Sequence, residues 1–382
     1  MSSAAKFLLA IVISTGSLAV VMTGLLFANG ELYTTTGGAR AQFETNGIYG
    51  RSIWDDFFAY KFALYEMHPT NVISVGSSRA MPVRALLFQK SDHLTFGGAV
   101  NSVAEFEGFA KQIVALGRRP AVVFVYVDFE WFMDSPKRER NRTDRRPYEQ
   151  WLFVYQSAFV HVRALFESAF ADHLKADPET GGALIGSRAR RLADGFRIDG
   201  SHQQRMSETG RRSPADAALM TISEPESDVA NETARRFAAE RHWWGATLGE
   251  NLLRRFETAL GVLQSQDISV VLIAAPVAPN VAMTLEQRDE LVFFRVWRSR
   301  IELISQDRRI PFFDFTQIPL QAPVCYSDLY HASEGAYAWL LSRVRGNLAA
   351  EGHRAAGTLD AERLDQFSKS ECFRSLGPAI RN

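Results

Sequence analysis

From about Asn71 onward the chain alternates short, continuously apolar runs with stretches whose apolar residues recur at helical spacing. The runs NVISV (71–75), HLTFGG (93–98), PAVVFVYVDF (120–129), ISVVLIAAP (268–276) and IPFFDFT (310–316) are rich in β-branched and aromatic residues and too short for helices. They read as five strands, mostly buried on both faces of a parallel sheet. Between them, Val103, Phe106, Phe109, Ala110, Ile113 and Val114 fall on one helical face that Gly117 ends. Leu252, Leu253, Phe256, Leu260 and Leu263 mark a second helix, residues 286–306 a third, and residues 333–348 a closing one with Ser333 as its cap. Strands alternating with helices predict an α/β fold with helices on both faces of the sheet.

The alternation is broken once and preceded by something different. Residues 134–245 are dense in charge and short of apolar runs, which predicts a helical and loop insertion between core segments 71–133 and 246–350. The helix-like stretch 151–170 and the loop-like stretch 197–217 fall inside that insertion. Residues 31–50 are rich in Gly and Thr and predict a juxtamembrane linker, with a lead-in to residue 70; residues 351–382 form a tail. Ahead of all this, Phe7 to Ala28 is an uncharged apolar run, long enough at about 1.5 Å per residue to span a bilayer core. A signal-peptide core is usually shorter, about 7–15 residues, so an uncleaved N-terminal transmembrane anchor is expected, residues 1–30. Ala28-Asn29-Gly30 keeps a cleavage site open as the competing reading. Lys6 precedes the run, which places the N-terminus in the cytoplasm and everything from residue 31 outside it.

Composition narrows the function. The 382 residues carry 43 basic and 43 acidic side chains, so no bulk charge points to nucleic acid. The two cysteines, Cys325 and Cys372, in an oxidising compartment are compatible with a disulfide and equally with two separate thiols. His202, His242 and the HWWG run at 242–245 lack a second ligand at zinc-like spacing, so no metal is expected. Arginines between Lys137 and Arg146 read as a solvated face or as a surface for lipid phosphates or an acidic polymer.

In a parallel sheet, polar residues just beyond the strand C-termini converge on one edge. Here they are Ser77, Ser78 and Arg79 after the first strand, Gly97, Gly98 and Asn101 after the second, and Asp128 and Glu130 after the third. Asp328 and His331 precede the closing helix. At the first of these turns, two hydroxyls and a cation fit a cap, an anion site or a nucleophile. A serine, a histidine with an acid three residues earlier, and approachable backbone N–H groups are the parts that acyl transfer to a serine needs.

These residues resemble a family. VGSSR, FGGAVNS, FVYVDFEWF and YSDLYHASEGAY, each placed after a strand, resemble the blocks of the SGNH (GDSL-like) hydrolase superfamily. They look most like its membrane-anchored extracytoplasmic branch, which includes D-alanyl transfer and alginate-type O-acetylation proteins. The resemblance covers residues 70–133 and 250–345 and implies a flavodoxin-like three-layer fold. It implies Ser78 as nucleophile, His331 as base and Asp328 as its orienting acid, with Gly97 and Gly98 near the oxyanion block. The sequence departs from the family at Ser77, where an acid is usual, and at Asp128, where an asparagine is usual. A carboxylate at 128 opposes an oxyanion unless it is neutralised or turned away, and Asn101 becomes a candidate donor. Arg79 stays open to three readings: a partner for Asp128, a contact for an anionic substrate, or an ordinary surface arginine. The implied function is a serine-dependent O-acyltransferase or esterase on a cell-envelope polysaccharide, without a cofactor. It would work beside a polytopic membrane-bound O-acyltransferase; the alternative is a non-catalytic glycan-binding or scaffolding module.

Overall fold

The computed structural model of the chain describes residues 2–51, 56–134, 176, 181–192, 194–203, 247–278, 281–282, 292–316 and 330–368. The chain divides into two compact units, Met1–Asp56 with Arg146–Ile198, and Phe57–Arg145 with Asp199–Asn382.

In the first unit, α1 (Ser3–Ala28) is capped by the Ser2 hydroxyl, and its Phe7, Leu8, Leu9, Val12, Ile13 and Val20 are exposed. Its side chains at 18, 19 and 22 lie outside the described set. Among the described residues no helix is long and apolar enough to cross a membrane, so a spanning role for α1 rests on its sequence. The expected linker is instead partly helical. Thr34 caps α2 (Thr35–Thr45) by accepting from the Gly37 N–H, and Asn46 ends it in the left-handed conformation. β1 (Ile48–Tyr49) follows.

The second unit opens with α3 (Phe57–Met67), then β2 (Val72–Gly76), β3 (His93–Gly97), α4 (Val103–Ala115) and β4 (Val122–Tyr126). The chain returns to the first unit with β5 (Leu184–Ile185), α5 (Ser187–Leu192) and β6 (Gly195–Phe196). There β1 pairs in parallel with β5 and antiparallel with β6, and buried Gln42 ties Gly47 to Phe196 through its Nε2. The second unit continues with α6 (Glu250–Gln264), β7 (Ser269–Ala274), α7 (Val292–Arg308), β8 (Phe312–Asp314), α8 (Glu334–Ala350) and α9 (Ala361–Ser368).

Its sheet runs β3-β2-β4-β7-β8, every adjacent pair parallel, with Gly76 level with Gly97 on one side and Tyr126 on the other. Counted among these five strands the order is 2-1-3-4-5, so the winding reverses between β2 and β4. The strands are apolar throughout because both faces are covered. On one face Phe124, Tyr126, Val271 and Ile273 join Tyr337, Leu341 and Val344 of α8. On the other, Phe62 of α3, Phe96 of β3 and Phe109 of α4 stack edge to face, and Phe106 meets Phe256 of α6. The expected helical faces hold, except that Val114 and Leu252 are half-exposed at the margins of their stripes.

One element differs. The stretch after β2 is not an α-helix but a series of 3-10 turns, Ser78–Ala80, Ala85–Leu87 and Gln89–Ser91. Pro82 supplies no N–H, and Arg84 is extended, so the first turn cannot propagate.

Candidate active site

The site lies at the carboxyl end of β2, beside the point where the strand order reverses, which is where open α/β sheets place their ligands. Ser77 has the extended backbone of a cap, and its Oγ accepts from the Arg79 N–H at 3.3 Å. Its hydroxyl donates to Asp128 Oδ2. Ser77 is therefore the cap, and its hydroxyl is committed. Ser78, the next residue, is half-exposed, and its Oγ lies 2.8 Å from His331 Nε2. With Nε2 unprotonated, the serine O–H donates to the ring, the arrangement a general base requires. The two hydroxyls that look equivalent in sequence thus have separate roles.

His331 is presented by the loop entering α8, whose Ser333 caps it through the Ala336 N–H. Its ring meets the Tyr330 ring edge to face at 5.7 Å between centroids. Asp328, the expected acid of the pair, and both Cys325 and Cys372 lie outside the described residues. So do the arginine-rich stretch 137–146, His242, Trp243 and Trp244. His202 is described; its backbone N–H donates to Met81 O at 3.0 Å. Among the described residues no cluster of His, Cys, Asp or Glu is placed to hold a metal.

The oxyanion expectations need correction. The Gly97 N–H donates to Thr95 Oγ1 at 3.0 Å, and the Gly98 N–H to Gly76 O at 3.0 Å and Ser77 O at 2.8 Å. Both donors are consumed, the first by Thr95 of the same strand and the second by the carbonyls at the end of β2. These glycines serve packing instead. A Cβ on Gly97 would collide with the backbone of Ala80 and Met81, and Gly98 holds a left-handed φ of 80° against Met81. They let the Ser78–Ala80 turn press against the end of β3. Asn101 is also folded back, its N–H donating to Glu105 Oε2 at 2.6 Å and its Nδ2 to Gly98 O at 3.1 Å. Among the described residues the second Nδ2 hydrogen of Asn101 has no partner, and no hydrogen bond engages the Ser78 backbone N–H.

Arg79 settles the question of Asp128. It is 1% exposed, neither a surface cation nor one facing substrate. Nη1 pairs with Asp128 Oδ1 and Nη2 donates to Ala275 O, just past β7. Tyr330 lies over the guanidinium, 4.7 Å from ring centroid to Cζ, and donates its hydroxyl to Asp128 Oδ1 at 3.3 Å. Burial disfavours the charged guanidinium, but Asp128 and the nearby Tyr330 and Tyr337 outweigh it and raise its pKa. Asp128 therefore faces one cation and two hydroxyls. Tyr330 and Tyr337, whose hydroxyl donates to Arg79 O, were not anticipated. Their only sequence signal is the position of Tyr330 directly before His331.

No protein-family model, characterised protein or solved structure matches the chain.

Proposed function

We propose that the chain is an SGNH-like, serine-dependent O-acyltransferase or esterase of a cell-envelope polysaccharide. The observation that carries this is the 2.8 Å contact between Ser78 Oγ and His331 Nε2 at the carboxyl edge of a parallel sheet. In the proposed cycle His331 takes the Ser78 proton as Oγ attacks an acyl ester, and returns it to the departing oxygen. An acceptor hydroxyl, deprotonated by the same ring, then attacks the acyl-serine and regenerates Ser78. Asp328, three residues before His331, would hold the imidazole tautomer. Ser78's own N–H and the second Nδ2 hydrogen of Asn101 are the donors proposed for the oxyanion.

Location supports transfer over hydrolysis. The uncharged run Phe7–Ala28 is proposed as a single-pass anchor with a cytoplasmic N-terminus, holding the domain outside at the membrane. A single segment cannot move an activated acyl group across the bilayer, so a polytopic membrane-bound O-acyltransferase is the proposed partner. A glycan acceptor would meet the surface of the insertion.

The second reading, a non-catalytic glycan-binding or scaffolding module, is favoured by the consumed N–H groups of Gly97 and Gly98. A serine-directed fluorophosphonate separates the two. The enzyme reading expects the full chain to label at Ser78, and Ser78→Ala or His331→Ala to lose labelling while Ser77→Ala keeps a measurable fraction. An unlabelled, folded wild type rejects it. Deleting the gene then assigns direction: loss of ester-linked acyl groups from the envelope means transferase, accumulation means esterase, and no change means scaffold.

A further inference from the structure

We propose that Asp128 is a positioning residue that holds nucleophile and base in register, binding both flanks of Ser78 and the residue before His331 with one carboxylate. This rests on the serine-based reading above. Asp128 Oδ2 accepts from Ser77, and Oδ1 accepts from Arg79 and from Tyr330. Ser77 and Arg79 are the immediate neighbours of Ser78, and Tyr330 immediately precedes His331. One buried group thus contacts three residues, each a single peptide bond from a reacting side chain.

Two further features fit this role. Asp128 stands at the cap position of the turn Phe129–Phe132, where an aspartate ordinarily accepts from the turn's own N–H groups. Its side chain makes no such bond and points across to β2 instead. Arg79, held by Asp128, reaches on to Ala275 O. The cluster therefore ties together the ends of β2, β4 and β7 and the loop that carries the base. A carboxylate has acceptor sites for all of these donors at once; an asparagine amide would offer one oxygen and turn its NH2 toward either Ser77, which would then have to accept, or the Arg79 and Tyr330 donors. Ser77 and Asp128 therefore belong together as donor and acceptor.

A shift of about 1 Å between reacting groups is enough to slow a reaction about 100-fold. The test measures fluorophosphonate labelling of the full chain, recording separately the rate constant and the fraction finally labelled. Asp128→Asn is expected to slow labelling about 10- to 100-fold with complete final labelling, whereas a purely structural defect lowers the labelled fraction at an unchanged rate constant. Because Asp128→Asn removes the charge that Arg79 pairs with, Tyr330→Phe provides a gentler variant. Removing that one hydroxyl is expected to slow labelling several-fold in the wild type and to add no further loss in an Asp128→Asn background. Wild-type labelling at Ser78 with an unchanged rate in Tyr330→Phe, or additive losses in the double variant, overturns the positioning role alone. A folded wild type that does not label at all overturns the serine-based reading and this inference with it.

Discussion

Replacing Arg79 with methionine keeps most of the side chain's volume and removes only the charge and its hydrogen bonds. In the native structure the guanidinium is 1% exposed, pairs with an Asp128 that is 3% exposed, and donates to Ala275 O. Its loss leaves a buried carboxylate with only hydroxyl partners among the groups described here, and strands a backbone acceptor. Removing one member of a buried pair costs about 3–5 kcal/mol, because the other charge stays desolvated without its counter-ion. With a urea slope of about 3 kcal/mol per molar, the unfolding midpoint should fall by about 1–1.7 M. The assay is urea unfolding of the full chain in mild detergent, followed by tryptophan fluorescence. The double variant Arg79→Met/Asp128→Leu removes both charges, and should recover much of the loss, since exchanging a whole buried pair for apolar groups is often neutral or better. A single-variant cost below about 1 kcal/mol, or a double variant less stable than Arg79→Met, would refute the reasoning.

Asn101→Ala should slow labelling of Ser78 about 100-fold if its free amide hydrogen serves the oxyanion, and an unchanged rate would remove it from the site. Gly97→Ala should destabilise the fold by about 1–3 kcal/mol in thermal or urea unfolding, since the added Cβ meets backbone of Ala80 and Met81; wild-type stability would count against that close approach. Lys61 is buried, donates to Gly200 O, and has its pKa lowered to about 7 by burial, against the opposing pull of Asp199. Between about pH 7 and 10.5 the unfolded chain therefore holds a proton that the folded Lys61 does not, and stability should rise with pH across that window, by something on the order of 5 kcal/mol. Lys61→Met should flatten the rise, and an identical pH profile in the variant would contradict the assignment.

The periodicity of apolar residues was enough to determine the five strands, the helices Val103–Ala115, Glu250–Gln264 and Glu334–Ala350 and the α/β class, but not the helix Phe57–Met67, which lay in the expected lead-in. A strand covered on both faces must be continuously apolar, and a helix covering it must be striped. The candidates Ser78 and His331 were legible for a related reason: parallel strands deliver their C-terminal residues to one edge whatever the intervening sequence. The resemblance pointed to Ser78 over Ser77, but periodicity could not, because the difference is the direction of one side chain in a single 3-10 turn that only tertiary structure fixes. Tertiary structure decided, too, that Gly97 and Gly98 serve close packing rather than donation, since a backbone N–H carries no sign in sequence of where it points. The helix expected after β2 became separate turns because Pro82 and the extended Arg84 outweigh the local helical pattern. The Ser77–Asp128–Arg79–Tyr330 cluster gathers on Asp128 partners that lie 49, 51 and 202 residues from it in sequence, and only the closing of the sheet brings such distant groups into one desolvated place.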